Sequence, residues 1–408
     1  MRFLWLIAAL LLLTSGFLYH SLSNILHTSQ EVTILLAGVP FILAGFIFIK
    51  RDSVAQIIQQ KIAPTWSRST FAAYFFTVVA WVSTYLLVAF IFILRISILY
   101  QDEWRTHNDY IFERGFWRSL FERQNEHLAI IPSGLYQANY YLFADNEFWL
   151  ILINTGFMLS IGGLFVYHLY RALRSKWNLA ITVLCCSVLG FSVFWLASDT
   201  MLFWTVGVSN NLGVLGATLA ATVLAKANSL THWKTLLLFT LCALLASFSF
   251  GGGVATWMFG CIAAFFKATD KKVTIGYLVL ALIGGLATVG YFALSGGGSV
   301  TFSLLDIALI APTLIGSPFT FLLRPFTAAT SLPYIALGIG MAGILWGAFL
   351  LYYFFIQRRS IVQERQPKDL QQILFFTLMA LFVVGCAILI GFSRGNGDFT
   401  YALSDRYN

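Results

Sequence analysis

The chain has 408 residues, of which 59% are hydrophobic and 10% charged, with a formal net charge of +8. That composition excludes a soluble globular enzyme and a disordered chain, and this length can cross a bilayer about ten to twelve times at ~20 residues per helix. The positive balance does not point to nucleic acid, because the basic residues sit between apolar runs.

The N-terminus, Arg2 followed by an apolar run to Leu13, resembles a signal peptide but lacks a clear small-x-small cleavage site, so an uncleaved first helix is expected. Apolar runs of spanning length follow at about 3–20, 32–49, 71–99, 148–170, 178–197, 203–225, 273–294, 333–356 and 370–392. Between Lys234 and Lys267 lies a further apolar stretch broken by Gly251, Gly252 and Gly253. Both of its flanks are basic, so it reads as a short hairpin rather than one helix. The expected fold is all-α, a polytopic membrane helix bundle of about eleven transmembrane helices. Residues 1–70 form an N-terminal helical hairpin that precedes a single domain over 71–408.

Orientation follows from the basic residues. With Arg2 inside, Lys50, Arg51, Lys61, Arg68, Arg171, Arg174, Lys176, Lys226, Lys234, Lys267, Lys271, Lys272, Arg358, Arg359, Arg365 and Lys368 also fall inside, and every lysine is cytoplasmic. The stretch 101–147, the loop 296–333 and the C-terminal tail then face the opposite side. The five cysteines (Cys185, Cys186, Cys242, Cys261, Cys386) all lie within apolar segments without metal or redox spacing and read as small buried hydrophobes.

Residues 101–147 form the long polar segment of the chain. Eight of the seventeen acidic residues are here, Asp102, Glu103, Asp109, Glu113, Glu122, Glu126, Asp145 and Glu147, with Arg105, Arg114, Arg118, Arg123, His107 and His127. Trp104, Phe112, Phe116, Trp117 and Phe121 are interleaved among them, which makes the segment interfacial rather than a plain solvated loop. Phe112, Phe116, Trp117, Leu120 and Phe121 recur at helical spacing opposite Glu113, Arg114, Arg118 and Glu122, the pattern of an amphipathic helix in the membrane surface. A second, greasier juxtamembrane segment runs from Leu128 to Phe143, interrupted by Pro132 and Gly134. Asp145 and Asn146 offer N-cap chemistry for the next spanning helix. Further along, the apolar residues of the loop 295–333 predict a partly embedded lid or surface helix.

A long spanning helix that ends in an acidic pair, followed by two surface helices before the next span, resembles the GT-C superfamily of membrane glycosyltransferases. QDEW at 101–104 looks like the acidic motif of their first external loop. GFWRSLFERQNEHLAIIP at 115–132 is similar to a bacterial GT-C-like branch with a Phe-x-x-x-Asn-x-His pattern. SFSFGGGVATW at 247–257 and LSDRYN at 403–408 are further matches, the latter with Asp405 inserted into an Ala-x-x-Ser-Arg-Tyr-like end. The resemblance covers roughly 71–408. Residues 1–70 add two helices that the pattern lacks, and the pattern continues past the last span where this chain stops, so the domain is expected to be C-terminally incomplete.

The resemblance implies a bacterial plasma (inner) membrane enzyme that takes a sugar from a polyprenyl-phosphate carrier on the external face and moves it to a glycan, lipid or protein acceptor. It assigns Asp102 as general base, with Glu103 as neighbour or substitute. A carboxylate at the membrane boundary is partly desolvated, which raises its pKa toward useful values; the ordinary reading is an acid marking a helix end. Arg118, Arg123, Arg394 and Arg406 suit the departing phosphate, because a planar guanidinium donates two hydrogen bonds and stays charged near lipid. Interfacial anchoring is the alternative for each arginine. Asn125, Glu126 and His127 could contact sugar hydroxyls or simply close a helix. His107 and His127 lack a third ligand at recognisable spacing, so no metal or other cofactor is expected.

Two rival functions remain at this level. A lipid-linked saccharide flippase or other transporter would place carboxylates or histidines near the bilayer midplane. Here His168 and Arg95 lie near span ends, and no inverted repeat is visible. A non-catalytic lipid-binding subunit of an envelope assembly is the other rival, and loss of turnover on Asp102→Asn separates it from an enzyme.

Overall fold

The computed structural model describes residues 42, 68–93, 116–121, 129–144, 146–192, 207–267, 270–294, 304–320, 331–356 and 367–393. Twelve α-helices of six residues or more and one 3-10 segment account for nearly all of them, and among the described residues there is no strand. We number the helices α1 (Arg68–Ile93), α2 (Phe116–Phe121), α3 (Ile130–Phe143), α4 (Glu147–Leu173), α5 (Leu179–Ser192), α6 (Gly207–Lys226), α7 (Trp233–Ser247), α8 (Met258–Lys267), α9 (Lys271–Leu294), α10 (Leu304–Thr320), α11 (Leu332–Ile356) and α12 (Pro367–Ser393). The apolar runs expected from 71 onward coincide with α1, α4, α5, α6, α9, α11 and α12. The two runs before residue 50 lie outside the described residues, apart from Ile42.

Five helices are long and apolar enough to cross a membrane, with qualifying windows at Phe148–Leu173, Gly207–Lys226, Lys271–Thr288, Leu332–Phe349 and Leu370–Ile390. Their outward faces are apolar too: Leu278, Leu282, Ile283 and Leu286 of α9, and Leu345, Trp346 and Phe349 of α11, are exposed. A soluble protein does not tolerate so much uncovered leucine and tryptophan along whole helices. The chain is therefore a membrane-embedded helical protein.

The helices fall into two compact units, Met1–Arg95 with Lys176–Ser192, and Ile96–Ser175 with Val193–Asn408. In the first, α1 packs against α5. Thr77 and Thr84 of α1 donate their hydroxyls to the carbonyls of Ala73 and Ala80, both at 2.8 Å, which satisfies them without leaving the helix.

The second unit is built around α6. Alanine, glycine and threonine dominate its sequence, so neighbours approach its backbone from most sides, and Val208, Ala217, Ala220, Ala221, Leu224 and Ala225 are fully buried. A Cβ at Gly216 would meet the backbone of Ala246, and one at Gly213 would meet Phe250, so α7 lies in direct backbone contact with α6. The apolar core beside α6 is filled by Phe239 of α7, Phe259 of α8 and Leu374, Phe375 and Leu378 of α12.

The stretch between Lys234 and Lys267 is a hairpin, as its basic flanks implied. Helix α7 leads into a 3-10 turn over Gly251–Trp257, and α8 returns. The return is fixed by Lys267, whose Nζ donates to the carbonyls of Leu224, Ala225 and Ala227 at 2.8, 2.7 and 2.8 Å. These carbonyls end α6 and have no helical partner of their own, so the ammonium supplies both a cap and a favourable charge. At 15 and 10 residues, α7 and α8 rise only ~22 and ~15 Å, short of a ~30 Å hydrocarbon core.

Two expectations change. The segment 128–143 is not interrupted at Pro132 and Gly134: α3 runs unbroken from Ile130, because proline in the first turn removes an N–H that has no partner there anyway. The loop 295–333 contains a full helix, α10, laid antiparallel along α11 rather than lying as a surface helix. A Cβ at Gly316 would strike the Ala336 carbonyl, and one at Gly340 would strike the Pro312 carbonyl.

Candidate functional site

The residues singled out from the sequence fall mainly outside the described residues. Asp102, Glu103, Arg123, Asn125, Glu126 and His127 lie there, as do Arg394 and Arg406. Arg118 is on α2, whose placement is described although the Arg118 side chain is not. The structure does describe the frame into which these residues run. Helix α2 carries Trp117 and Phe121 outward, and Leu120 lies 3.6 Å from the Cβ position of Gly134, which seats α2 on α3.

Helix α3 buries Pro132, Ser133, Tyr136, Gln137 and Asn139 and exposes Tyr141 and Leu142. The polar side chains Ser133, Gln137 and Asn139 are thus turned inward, and the exposed aromatic and aliphatic residues Tyr141 and Leu142 fall in its last turn. Ile131 and Leu135 pack with Ile161 of α4 and Leu212 and Leu215 of α6. The turn into α4 is short. Ala144 takes a left-handed conformation (φ 50°, ψ 41°) and returns its N–H to the Asn139 carbonyl. Asn146 then caps α4 by accepting from Phe148 N–H at 3.0 Å.

The hairpin tip connects this frame to the end of the chain. Phe248 O accepts from Ile131 N–H at 3.2 Å, so the first turn of α3 hangs from the tip. On the other side, Cys386 of α12 points its Sγ at Gly252 O, 3.5 Å away, and a Cβ at Gly385 would meet Ala255. Residues just after His127 and shortly before Arg394 are therefore tied to the same hairpin tip. The glycines make this approach possible: a Cβ at Gly253 would strike the Ala246 carbonyl, and one at Gly252 would strike Phe250 and Cys386. Two polar side chains join the neighbouring spans, with Asn211 of α6 donating to Asn154 Oδ1 of α4 at 2.8 Å.

A polar cluster that sequence reasoning passed over lies toward the opposite end of α4 and α6. His168, near the end of its span, is completely buried. Its Nδ1 meets Gln372 Oε1 of α12 at 2.7 Å, its Nε2 meets Thr222 Oγ1 of α6 at 3.3 Å, and its ring stacks on Phe375 with centroids 3.8 Å apart. Thr222 sits 54 residues away and Gln372 204, so no local pattern could have announced them. We read this cluster as the bolt between α4, α6 and α12. Replacing His168 with leucine should cost about 2–4 kcal/mol, since it strands a buried amide as well as losing the stack. The double change His168→Leu with Gln372→Leu should cost less than the single one, because no unpartnered amide remains. Thermal denaturation of the three purified proteins measures the difference.

Among the described residues, no three His, Cys, Asp or Glu side chains come together as metal ligands would. The chain matches no protein-family model, no curated protein and no solved structure.

Proposed function

We propose that this protein is a GT-C-like membrane glycosyltransferase that moves a sugar from a polyprenyl-phosphate carrier to an acceptor on the external face. In this reading Asp102 removes the acceptor proton, and Glu103 supports or substitutes for it. Arg118, Arg123, Arg394 and Arg406 hold the departing phosphate, while Asn125, Glu126 and His127 contact the sugar. The observation that carries the reading is the shared attachment of α3 and α12 to one hairpin tip, through Phe248 O and Gly252 O. It supports bringing a loop rich in carboxylates and the tail that carries Arg394 and Arg406 to the same end of one unit. Transfer needs the base for the acceptor hydroxyl and the cations for the departing phosphate at one place. The short helices α2 and α3, with aromatics outward, suit an entry path for a carrier whose prenyl chain stays in lipid.

The reading includes about eleven spans in all, an N-terminus in the cytoplasm and the stretch 101–147 outside, in a bacterial inner membrane. The test is transfer from a polyprenyl-phosphate-linked sugar by the purified protein in nanodiscs, with glycolipid mass spectrometry of membranes that contain or lack it. Topology is checked separately. In a background without native cysteines, cysteine at Ser119 should react with an impermeant maleimide from outside, and cysteine at Gln363 should not. The reverse sidedness would remove the whole site assignment, since all of its residues share one face.

A further inference from the structure

The end of the second unit that carries its lysines holds a second group of charges, independent of the proposed transfer site. Here α4, α6 and α8 end and α7, α9 and α12 begin. This is fixed by the Lys267 bonds to the end of α6, by the Tyr277 hydroxyl donating to Leu230 O at 2.9 Å, and by the bond between His168 and Gln372. The end is strongly basic, with Arg171, Arg174, Lys226, Lys234, Lys267, Lys271 and Lys272. Two of its polar groups are already engaged: Lys267 caps α6, and the Asp270 carboxylate accepts from Lys272 N–H at 2.8 Å to start α9.

Two cations converge instead on a phenol. Arg171 Nη1 donates to the Tyr167 hydroxyl at 2.9 Å, and the Lys226 ammonium, from another helix, lies 4.1 Å from the centre of the same ring. Among the described residues neither cation meets a carboxylate. Lys226 is not needed as a cap, because the last carbonyls of α6 are taken by Lys267, and Arg171, in the last turn of α4, directs its hydrogen bond to the Tyr167 hydroxyl. The Tyr167 oxygen accepts from Arg171, so the phenol keeps its own proton, and the guanidinium its further N–H groups, for another acceptor. Tyr167 and Arg171 are half-buried and Lys226 is exposed. Along α4, Leu152, Gly156, Leu159 and Gly163 are exposed on the same side, and the exposed Ser160 turns its hydroxyl back onto Gly156 O at 2.7 Å, so the strip toward Tyr167 is largely apolar.

We propose that Tyr167, Arg171 and Lys226 bind the phosphate of an anionic phospholipid from the leaflet at the lysine-rich end, with an acyl chain along the Leu152–Leu159–Gly163 face. The three donors match a phosphodiester: a guanidinium fork, an ammonium and a hydroxyl that converge from two helices at headgroup depth. The apolar track selects a lipid over a free phosphate ester, and the excess positive charge selects an anionic lipid over a zwitterionic one.

The full chain, purified and delipidated in detergent, is mixed with phosphatidylglycerol or phosphatidylethanolamine, and retained lipid is counted by native mass spectrometry. sn-Glycerol 3-phosphate is the headgroup-only arm. Phosphatidylglycerol should be retained preferentially, and Arg171→Gln with Lys226→Gln should reduce its retention about 10-fold or more. Lys234→Gln with Lys271→Gln removes the same charge elsewhere at this end and should leave retention unchanged. Should the first double variant not purify as a folded protein, Lys226→Gln alone, at an exposed position, must still weaken retention. Equal losses in both double variants would mean diffuse attraction only, and that outcome overturns the site. So does unchanged retention in the first double variant, or binding of glycerol phosphate as strong as that of the lipid.

Discussion

Asp102→Asn lowers sugar transfer by ~10²–10⁴-fold while donor binding persists, if the proposed chemistry holds. Asparagine keeps the size of aspartate and part of its hydrogen bonding but cannot accept the acceptor's proton. The phosphate contacts belong to arginines in this reading, so affinity for the polyprenyl-phosphate donor should change little, and the loss should appear in kcat. Glu103→Gln should have a smaller effect. If the two acids share the role, each single variant keeps part of the activity and only the double variant shows the full loss, because residues that act as a unit are not additive. The measurement is transfer in nanodiscs beside donor binding at equilibrium. Near-normal turnover in Asp102→Asn, with Glu103→Gln also active, removes the general-base assignment and puts the base elsewhere, whereas no transfer by the unaltered protein would leave a lipid-binding subunit as the better reading.

Gly340→Leu should abolish the folded bundle or destabilise it by about 3 kcal/mol or more. At this position the backbones of α10 and α11 touch: a Cβ on Gly340 would enter the Pro312 carbonyl, and the reciprocal position, Gly316, faces the Ala336 carbonyl. Neither obstacle is a side chain that could rotate away. The two helices would have to separate along their length, and α10 also packs on α12, so the displacement reaches the helix that leads into Arg394. In lipid there is little hydrophobic force to pull separated helices back, since acyl chains solvate leucine as well as a neighbouring helix does. Gly338→Ala is the matched control: nothing lies within 4 Å of its Cβ position, so its effect should stay within about 1 kcal/mol. Thermal denaturation and size-exclusion profiles in detergent compare the two. Equal stability of Gly340→Leu and Gly338→Ala would mean that α10 does not pack on α11 as described.

The sequence alone determined the helical class, the positions of the long apolar helices from α1 to α12, the hairpin between Lys234 and Lys267 and the Asn146 cap, because each is written locally. A spanning helix needs a continuous apolar run, basic flanks mark a hairpin's ends, and a capping side chain lies next to the N–H that it serves. The same local signals placed the candidate chemistry in the polar stretch between two spans, although Asp102, Arg123 and Arg394 lie beyond the described residues. Tertiary structure decided the rest. Proline at 132 reads as an interruption until its place in a first turn is known, and the apolar loop after Gly298 shows no sign in sequence of which helix it will pack along. His168 resembles any histidine near a span end, and only the fold brings Thr222 and Gln372 to it. Lys267 looks like one more interfacial lysine, yet it caps a helix that ended 41 residues earlier. The physical reason is common to all of these. Hydropathy and charge act through the surrounding medium and leave a local trace, whereas a hydrogen bond or a glycine contact between distant segments depends on two backbones that meet only after the chain has folded.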